Sequence, residues 1–224
     1  MLLIWKWWDV RHKVNAGEMQ QSCHEVAHVV AAMTSDLQKE EKGERDRNCI
    51  NTRRCWSLPP PDWPKVNFDG AFCKESKFGS WGFIIRDYMG APILAGAGCI
   101  GPVQDALRSE AVACLKALEA ADLHGISRII LETDANQMDE AIRTTKRDLA
   151  PSGNLFRDIR ELLYERFVCL HLVHVPRVCN SSAHELAKIS RSRVPGQSYV
   201  WTDSLPVSVH DMVASDLAEL RFIY

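Results

Sequence analysis

The order of strand-like and helix-like segments after residue 64 constrains the fold of this chain more than any other feature. Three runs with strand-like residue patterns, at 65–73, 81–86 and 93–99, follow one another with short links that contain glycine or proline. Links this short join antiparallel strands, because parallel strands need a long crossover connection. The three runs therefore predict an antiparallel meander.

Beyond the meander, helical and strand-like patterns alternate. They predict two further strands, at 129–133 and 168–175, and four helices, at 105–123, 136–144, 155–166 and 182–190. The resulting order, β-β-β-α-β-α-α-β-α, is typical of a mixed sheet flanked by helices. We therefore expect an α/β fold with a mixed five-stranded sheet, in which three strands are antiparallel and two further strands join them.

The segments on either side of this region differ in composition. Residues 1–34 favour an amphipathic helix, and residues 35–54 carry many charges of both signs with almost no apolar residues. A proline-rich linker follows, and after residue 195 polar and apolar residues alternate before a helix expected at 211–221. We expect three parts: an N-terminal helical and charged extension at 1–58, a folded domain at 59–192 and a C-terminal tail at 193–224.

Charge and cysteine usage exclude several classes of protein. The 224 residues carry a formal net charge of −2, which argues against holding nucleic acid by bulk electrostatics, so any such site must be local. The eight cysteines form no Cys-x-x-Cys pair, which indicates reduced, packed thiols. Lys6 and Asp9 interrupt the apolar start of the chain well short of the roughly 20 residues that span a bilayer. We expect a soluble, intracellular protein without a membrane partner.

Three acidic residues stand at positions where a carboxylate needs an explanation. Alternation along the first strand places Asp69 on the face opposite Phe68, where a carboxylate is costly unless it is exposed, paired or metal-bound. Glu110 lies on the small apolar face of its helix, whereas Glu119 lies about 180° around the helix and should be solvated. Asp134 follows the fourth strand, at the end where ligands collect in α/β sheets.

Each of these acids also has a purely structural explanation. Asp69 would face water on an edge strand, Glu110 would be a surface charge beside the apolar stripe, and Asp134 would cap the next helix. Together, however, the three side chains could converge and bind divalent cations through hard oxygen ligands. Two Mg²⁺ ions about 4 Å apart would polarise a phosphodiester, activate the attacking water and stabilise the leaving 3′-oxygen. The implied reaction is phosphodiester hydrolysis with Mg²⁺, or with Mn²⁺ as a substitute, and without a small-molecule cofactor.

Five short strings follow one another in a specific order and spacing: KVNFDGA at 65–71, SEAVACLKAL at 109–118, ETD at 132–134, and HVPRVCN at 174–180 before AHELAK at 183–188. In these strings the chain resembles type 1 ribonuclease H, and most closely the plant ribonuclease H-like domains derived from the reverse transcriptases of retroelements. The resemblance covers about residues 64–190. It implies a ribonuclease H-like fold and cleavage of the RNA strand of an RNA–DNA hybrid. It also implies Asp69, Glu110 and Asp134 as catalytic metal ligands.

One position departs from the family pattern. The fourth acid of the family stands in an Ala-Asp-x-Leu-Ala-like helix start, and here that position is His184. Imidazole is a softer, neutral ligand and matches Mg²⁺ less well than a carboxylate does. If Ser182 caps this helix and Glu185 completes a capping box, His184 falls in the first turn. We expect His184 to belong to the catalytic site, where it could bind metal, transfer a proton or face solvent, and activity could be weakened or lost.

Four further residues are expected to contact the hybrid. Asn67 and Asn180 would contact sugar hydroxyls, which distinguish RNA from DNA. Arg177 and Lys188 would contact phosphates, with an ordinary solvated surface position as the alternative. Few basic residues stand between Asp134 and residue 155, so the basic substrate-binding protrusion of bacterial relatives looks absent. Nucleic acid is thus the expected partner of a chain that we otherwise expect to be a monomer.

Two other functions compete with this one. The string HEVAH places His24 and His28 one helical turn apart, as in zinc peptidases, but such a site needs a third ligand and a supporting sheet. The second competitor is a nucleic-acid-binding module with the same fold and little or no catalytic activity. The tryptophans near the start are interpreted as the remnant of a larger protein, and His171 and His174 as hydrogen-bonded strand residues.

Overall fold

The computed structural model describes residues 55–220, except for the side chains of residues 169 and 170. The helix expected at 1–34, the charged segment, the HEVAH motif and the first tryptophans lie outside the described residues. The elements are, in chain order, β1 Lys65–Cys73, β2 Phe78–Arg86, β3 Pro92–Pro102, α1 Ala106–Leu123, β4 Arg128–Thr133, α2 Asn136–Arg143, α3 Gly153–Arg166, β5 Cys169–His174, a 3₁₀ turn Arg177–Asn180, α4 Ser181–Ile189, a second 3₁₀ turn Ser190–Ser192, β6 Ser198–Trp201 and α5 Val207–Leu220. None of the helices within this range is both long and apolar enough to cross a membrane.

The strands form one mixed sheet in the order β5-β4-β1-β2-β3-β6. β1, β2 and β3 pair antiparallel, which confirms the expected meander, whereas β4 pairs parallel with β1 and β5 parallel with β4. The ladder between β1 and β4 places Asn67 opposite Glu132. Asp69, in the middle of β1, and Asp134, just beyond the end of β4, each follow two residues later, so they lie side by side.

The sheet has six strands rather than the expected five. Ser198–Trp201 lies in the expected tail and pairs antiparallel with the outer edge of β3. Tyr199 and Trp201 point to one side of this strand, and their rings stack with centroids 6.1 Å apart. The strand covers an edge of β3 that would otherwise present unpaired backbone groups. The sequence pattern missed it because four residues carry too little alternation to indicate a strand.

Helices cover both faces of the sheet. On one face, α1, α2 and α3 enclose a core that includes Phe68, Phe83 and Leu118. On the other face, α4 and α5 pack against Ile84 and Ala97. Because β2 is buried on both faces, its residues are apolar at consecutive positions rather than at alternate ones.

Two glycines allow helices to approach the sheet closely. A Cβ atom at Gly70 would lie 2.3 Å from the backbone nitrogen of Glu110, and one at Gly82 would lie 2.3 Å from that of Ala187. Any side chain at these positions would push α1 or α4 away from the sheet. The glycines therefore keep both helices close to Asp69.

Residues outside the expected domain limits of 59 and 192 also contribute to the core. Trp56 is buried in a small apolar cluster with Cys179, and Leu217 of α5 packs against it. α5 begins at residue 207 rather than at the expected 211. Its Asp216 forms an ion pair with Arg86 of β2, with 2.6 Å between Oδ2 and Nη1. The tail whose role the sequence did not indicate thus supports the second face of the sheet.

Candidate metal centre

Asp69 lies in the interior of the sheet. β1 is flanked by β4 and β2, and Asp69 is only 4% exposed, so the alternative of an acid facing water on an edge strand is wrong. Its side chain points to the face opposite Phe68, as the alternation predicts. A buried carboxylate in this position requires a partner or a cation.

Glu110 points towards the sheet from α1. Its Oε2 accepts a hydrogen bond from the Gly70 N–H at 3.0 Å, and the side chain is half-buried. Glu119, on the same helix, is exposed and pairs with Lys116 at 2.7 Å. The predicted orientation of the two acids is therefore confirmed.

Asp134 follows β4 and does not cap the next helix. α2 begins at Asn136, its cap residue Ala135 has no side-chain hydrogen bond, and the Ala135 N–H donates to Thr133 Oγ1. The helix-cap explanation of Asp134 is thus wrong. Oδ1 of Asp134 instead accepts a hydrogen bond from Nδ2 of Asn180 at 3.0 Å.

The three carboxylates converge at the end of β4. Asp69, Glu110 and Asp134 each offer an oxygen, and these oxygens lie within 4.8 Å of one another. Burial raises the pKa of Glu110 well above the usual range, and the charges of Asp69 and Asp134 raise it further. Three hard oxygen donors that repel one another are compatible with a divalent metal site.

His184 lies beside the triad, as its position in the sequence suggested, but its helix starts differently. α4 begins at Ser181, so Ser182 lies inside the helix and does not cap it. The Oγ of Ser182 is buried and has no hydrogen-bond partner among residues 55–220, so the expected capping box is wrong. The 3₁₀ turn before α4 brings the chain into the helix without a side-chain cap. Nδ1 of His184 lies 2.8 Å from Oδ2 of Asp69. Arg177 contacts the same imidazole, with its Nη2 2.9 Å from Nε2.

The structure corrects the placement of Asn67, which is 0% exposed. Its Nδ2 donates to Glu132 Oε2 at 2.9 Å, and its Oδ1 accepts from both Trp56 Nε1 and Arg86 Nη2 at 3.1 Å. The amide is fully engaged inside the protein and is not available to a sugar hydroxyl. The pattern identified the correct face of β1 but gave no indication that Trp56 and Arg86 bond to the amide there.

Asn180 is also buried, and its amide donates to the Phe68 carbonyl at 2.9 Å as well as to Asp134. It therefore orients a carboxylate of the triad rather than presenting itself at the surface. Arg177 and Lys188 are exposed, as a phosphate contact requires, although Lys188 also pairs with Glu185 at 3.1 Å. Of the four expected contacts to a hybrid, the two cations remain accessible.

A buried ion pair beneath Asp69 and Asp134 was not anticipated from the sequence. Lys65 Nζ lies 2.9 Å from Glu132 Oε1, and both side chains are almost inaccessible to solvent. Opposite charges inside two strand-like runs, Lys65 in one and Glu132 in the other, are the signal that could have suggested this pair. His174 lies nearby on the exposed end of β5, where its Nε2 is 3.2 Å from the Asp134 carbonyl. This contact fits the expectation of a hydrogen-bonded strand residue.

Comparison with known proteins places this geometry in a wider context. Residues 67–190 match the family described as reverse transcriptase-like. RNase H1 from the halophilic archaeon Halobacterium salinarum is 27% identical, with a TM-score of 0.51 over 57% of this chain and 96% of that chain. LC11-RNase H1, isolated from compost, is 22% identical, with a TM-score of 0.53 over 58% of this chain and 95% of that chain. The structure of LC11-RNase H1 in complex with an RNA/DNA hybrid is also similar, at 21% identity and a TM-score of 0.52 over 57% of this chain and 95% of that chain. No curated protein matches the chain.

Proposed function

Because this chain belongs to the reverse transcriptase-like family and contains a ribonuclease H-like domain, we propose that it hydrolyses the RNA strand of RNA–DNA hybrids in a reaction that depends on a divalent metal. The observation that carries this proposal is the convergence of Asp69, Glu110 and Asp134 within 4.8 Å on this fold. The fold alone would leave the function open, since one fold can serve many functions. The triad adds the chemistry that phosphodiester hydrolysis needs.

Each carboxylate is held by a specific neighbour. The Gly70 N–H orients Glu110, and Asn180 orients Asp134. Asp69 lies in a central strand, and His184 contacts its Oδ2 at 2.8 Å. A bound Mg²⁺, or Mn²⁺ in its place, would supply an activated water and stabilise the charge on the leaving oxygen. The protein itself contributes three carboxylates whose positions are set before a metal binds.

The accessible cations next to the triad are the proposed contacts to the hybrid. Arg177 contacts His184, which in turn contacts Asp69 of the triad. Lys188 lies one helical turn after His184 on α4. The three cations that end or follow α2 also have acidic neighbours: Arg143 pairs with Asp139, and Lys146 and Arg147 pair with Glu140. The hybrid complex known for LC11-RNase H1 supports the same class of substrate.

The contact between His184 and Asp69 favours a second candidate function. An imidazole stands where the family has its fourth acid, and it takes up one oxygen of Asp69. A domain with this change could bind a hybrid without cleaving it at a useful rate. This binding module is the alternative that the experiment must separate from the nuclease.

Cleavage of a hybrid with a labelled RNA strand tests the proposal. We expect the full chain to cleave with Mg²⁺ or Mn²⁺ and the Asp69→Asn variant to lose cleavage, since the substitution removes a charged ligand. If the folded wild type is inactive with both metals while His184→Asp cleaves, the binding module is the correct function. If neither protein cleaves and both are folded, the nuclease proposal is wrong.

A further inference from the structure

Two basic side chains follow one another outward from Asp69: His184 of α4 contacts Asp69, and Arg177 of the preceding 3₁₀ turn contacts His184. Nδ1 of His184 lies 2.8 Å from Asp69 Oδ2, and Nη2 of Arg177 lies 2.9 Å from Nε2 of the same ring. We refer to these two side chains as the Arg177–His184 pair. It lies where the family pattern has a carboxylate, so it reverses the charge at this position.

The donors and acceptors determine how the imidazole is used. Nη2 of Arg177 lies 2.9 Å from Nε2 and 3.1 Å from Nδ1 of His184, so the guanidinium lies over the face of the imidazole. An ionised carboxylate only accepts hydrogen bonds, so Nδ1 of His184 donates to Asp69. The position beside the ring is thus occupied by a guanidinium and is not open to a metal ion.

The charge at the site leads to the same conclusion. Three carboxylates, with one guanidinium held against Asp69 through His184, leave two net negative charges, which one divalent cation neutralises. Four carboxylates would instead suit two divalent cations held about 4 Å apart. The Arg177 charge would repel a second cation on this side of Asp69.

We propose that the Arg177–His184 pair takes the place of a second divalent cation, so that the site holds a single ion among Asp69, Glu110 and Asp134. This inference rests on the proposed function, because it concerns the same three carboxylates. It changes the expectation of a two-ion site, which the sequence pattern alone favours. The guanidinium of Arg177 supplies part of the positive charge beside Asp69 that a second ion would supply.

Counting bound Mn²⁺ on the full-length protein tests this inference independently of cleavage. The electron paramagnetic resonance signal of free Mn²⁺ gives the number of ions bound per chain during a titration. We expect one ion on the wild type and two on the double variant Arg177→Gln with His184→Asp, where the fourth carboxylate is restored and the guanidinium is removed. Two ions about 4 Å apart also interact magnetically, so the double variant should show a coupled spectrum that the wild type lacks.

Lys116→Gln is the control, because it removes an exposed cation on α1 that pairs with Glu119 and has no role at the triad. It should bind one ion, like the wild type. Two ions on the wild type, or one ion on a folded double variant Arg177→Gln with His184→Asp, would overturn the inference. The wild-type count decides the matter even if the double variant does not fold.

Glu110→Gln separates a failure of this inference from a failure of the proposed function. Two ions on the wild type, both lost in Glu110→Gln, would contradict the role of the pair and leave the metal-dependent nuclease standing. No Mn²⁺ on the folded wild type would contradict both. One ion that is lost in Glu110→Gln supports both.

Discussion

The ion pair between Arg86 and Asp216 yields the sharpest prediction about stability. The Arg86 side chain is 1% exposed and that of Asp216 is 13% exposed, and the two are 2.6 Å apart. Burial lowers the pKa of Arg86, while the Asp216 charge opposes this change. The guanidinium also lies 3.5 Å from the centre of the Trp56 ring, and its Nε has no hydrogen-bond partner among residues 55–220.

Asp216→Ala would leave a buried positive charge with one neutral acceptor, the amide oxygen of Asn67. Breaking a buried pair by removing one partner typically costs about 3–5 kcal/mol. Because Asp216 is not fully buried, water can reach part of the site, and we expect a loss near the lower limit, about 3 kcal/mol. The loss arises from the unpaired charge, so removing both charges should cost much less.

Urea unfolding monitored by tryptophan fluorescence measures this difference. Glu119→Ala is the control, since it removes an acid that is 46% exposed in its pair with Lys116 and should change stability by less than about 1 kcal/mol. The double variant Arg86→Met with Asp216→Leu should recover most of the lost stability. The reasoning is refuted if Asp216→Ala is as stable as Glu119→Ala, or if the double variant is no more stable than Asp216→Ala.

Three more predictions concern the triad and its support. The pKa of Glu110 is raised, so the metal-free folded state holds the carboxyl proton of Glu110 more tightly than the unfolded state does. Ionisation of Glu110 therefore destabilises the fold as the pH rises from about 4.3, the usual pKa of a glutamate, towards the raised pKa in the folded state. The Tm in EDTA should therefore fall with pH more steeply for the wild type than for Glu110→Gln, and equal slopes would contradict this. Asn180→Ala frees Asp134 and should reduce Mn²⁺ affinity about 10–100-fold in calorimetry, whereas unchanged affinity would exclude a positioning role. Gly82→Ala should destabilise the protein by about 1–3 kcal/mol in urea, because the new Cβ would meet the Ala187 backbone; no loss would show that α4 can move.

Local periodicity was sufficient to predict the placement of the triad. Alternation along β1 determines the face of Asp69, and the helical repeat separates inward Glu110 from exposed Glu119. Asp134 was identified because a strand end is visible in the sequence. These properties depend on a few neighbouring residues, so a single sequence carries them.

Contacts between distant parts of the chain could not be predicted in the same way. Asn67 bonds to Glu132, 65 positions away, and Arg86 bonds to Asp216, 130 positions away. Nothing in the local pattern of β1 shows that Trp56 and Arg86 bond to the asparagine there. The sixth strand is a similar case, because β6 is too short to be indicated without the edge of β3.

The most direct test of the account compares Glu110→Gln with Glu119→Gln on the same hybrid, with the RNA and DNA strands labelled in turn. Both variants remove one charge from α1, but only Glu110 belongs to the triad. We predict that wild type and Glu119→Gln cleave the RNA strand with Mg²⁺ and spare the DNA strand, and that Glu110→Gln is slower by at least about 100-fold. Equal cleavage by the two variants, or cleavage of both strands, would contradict the proposed function.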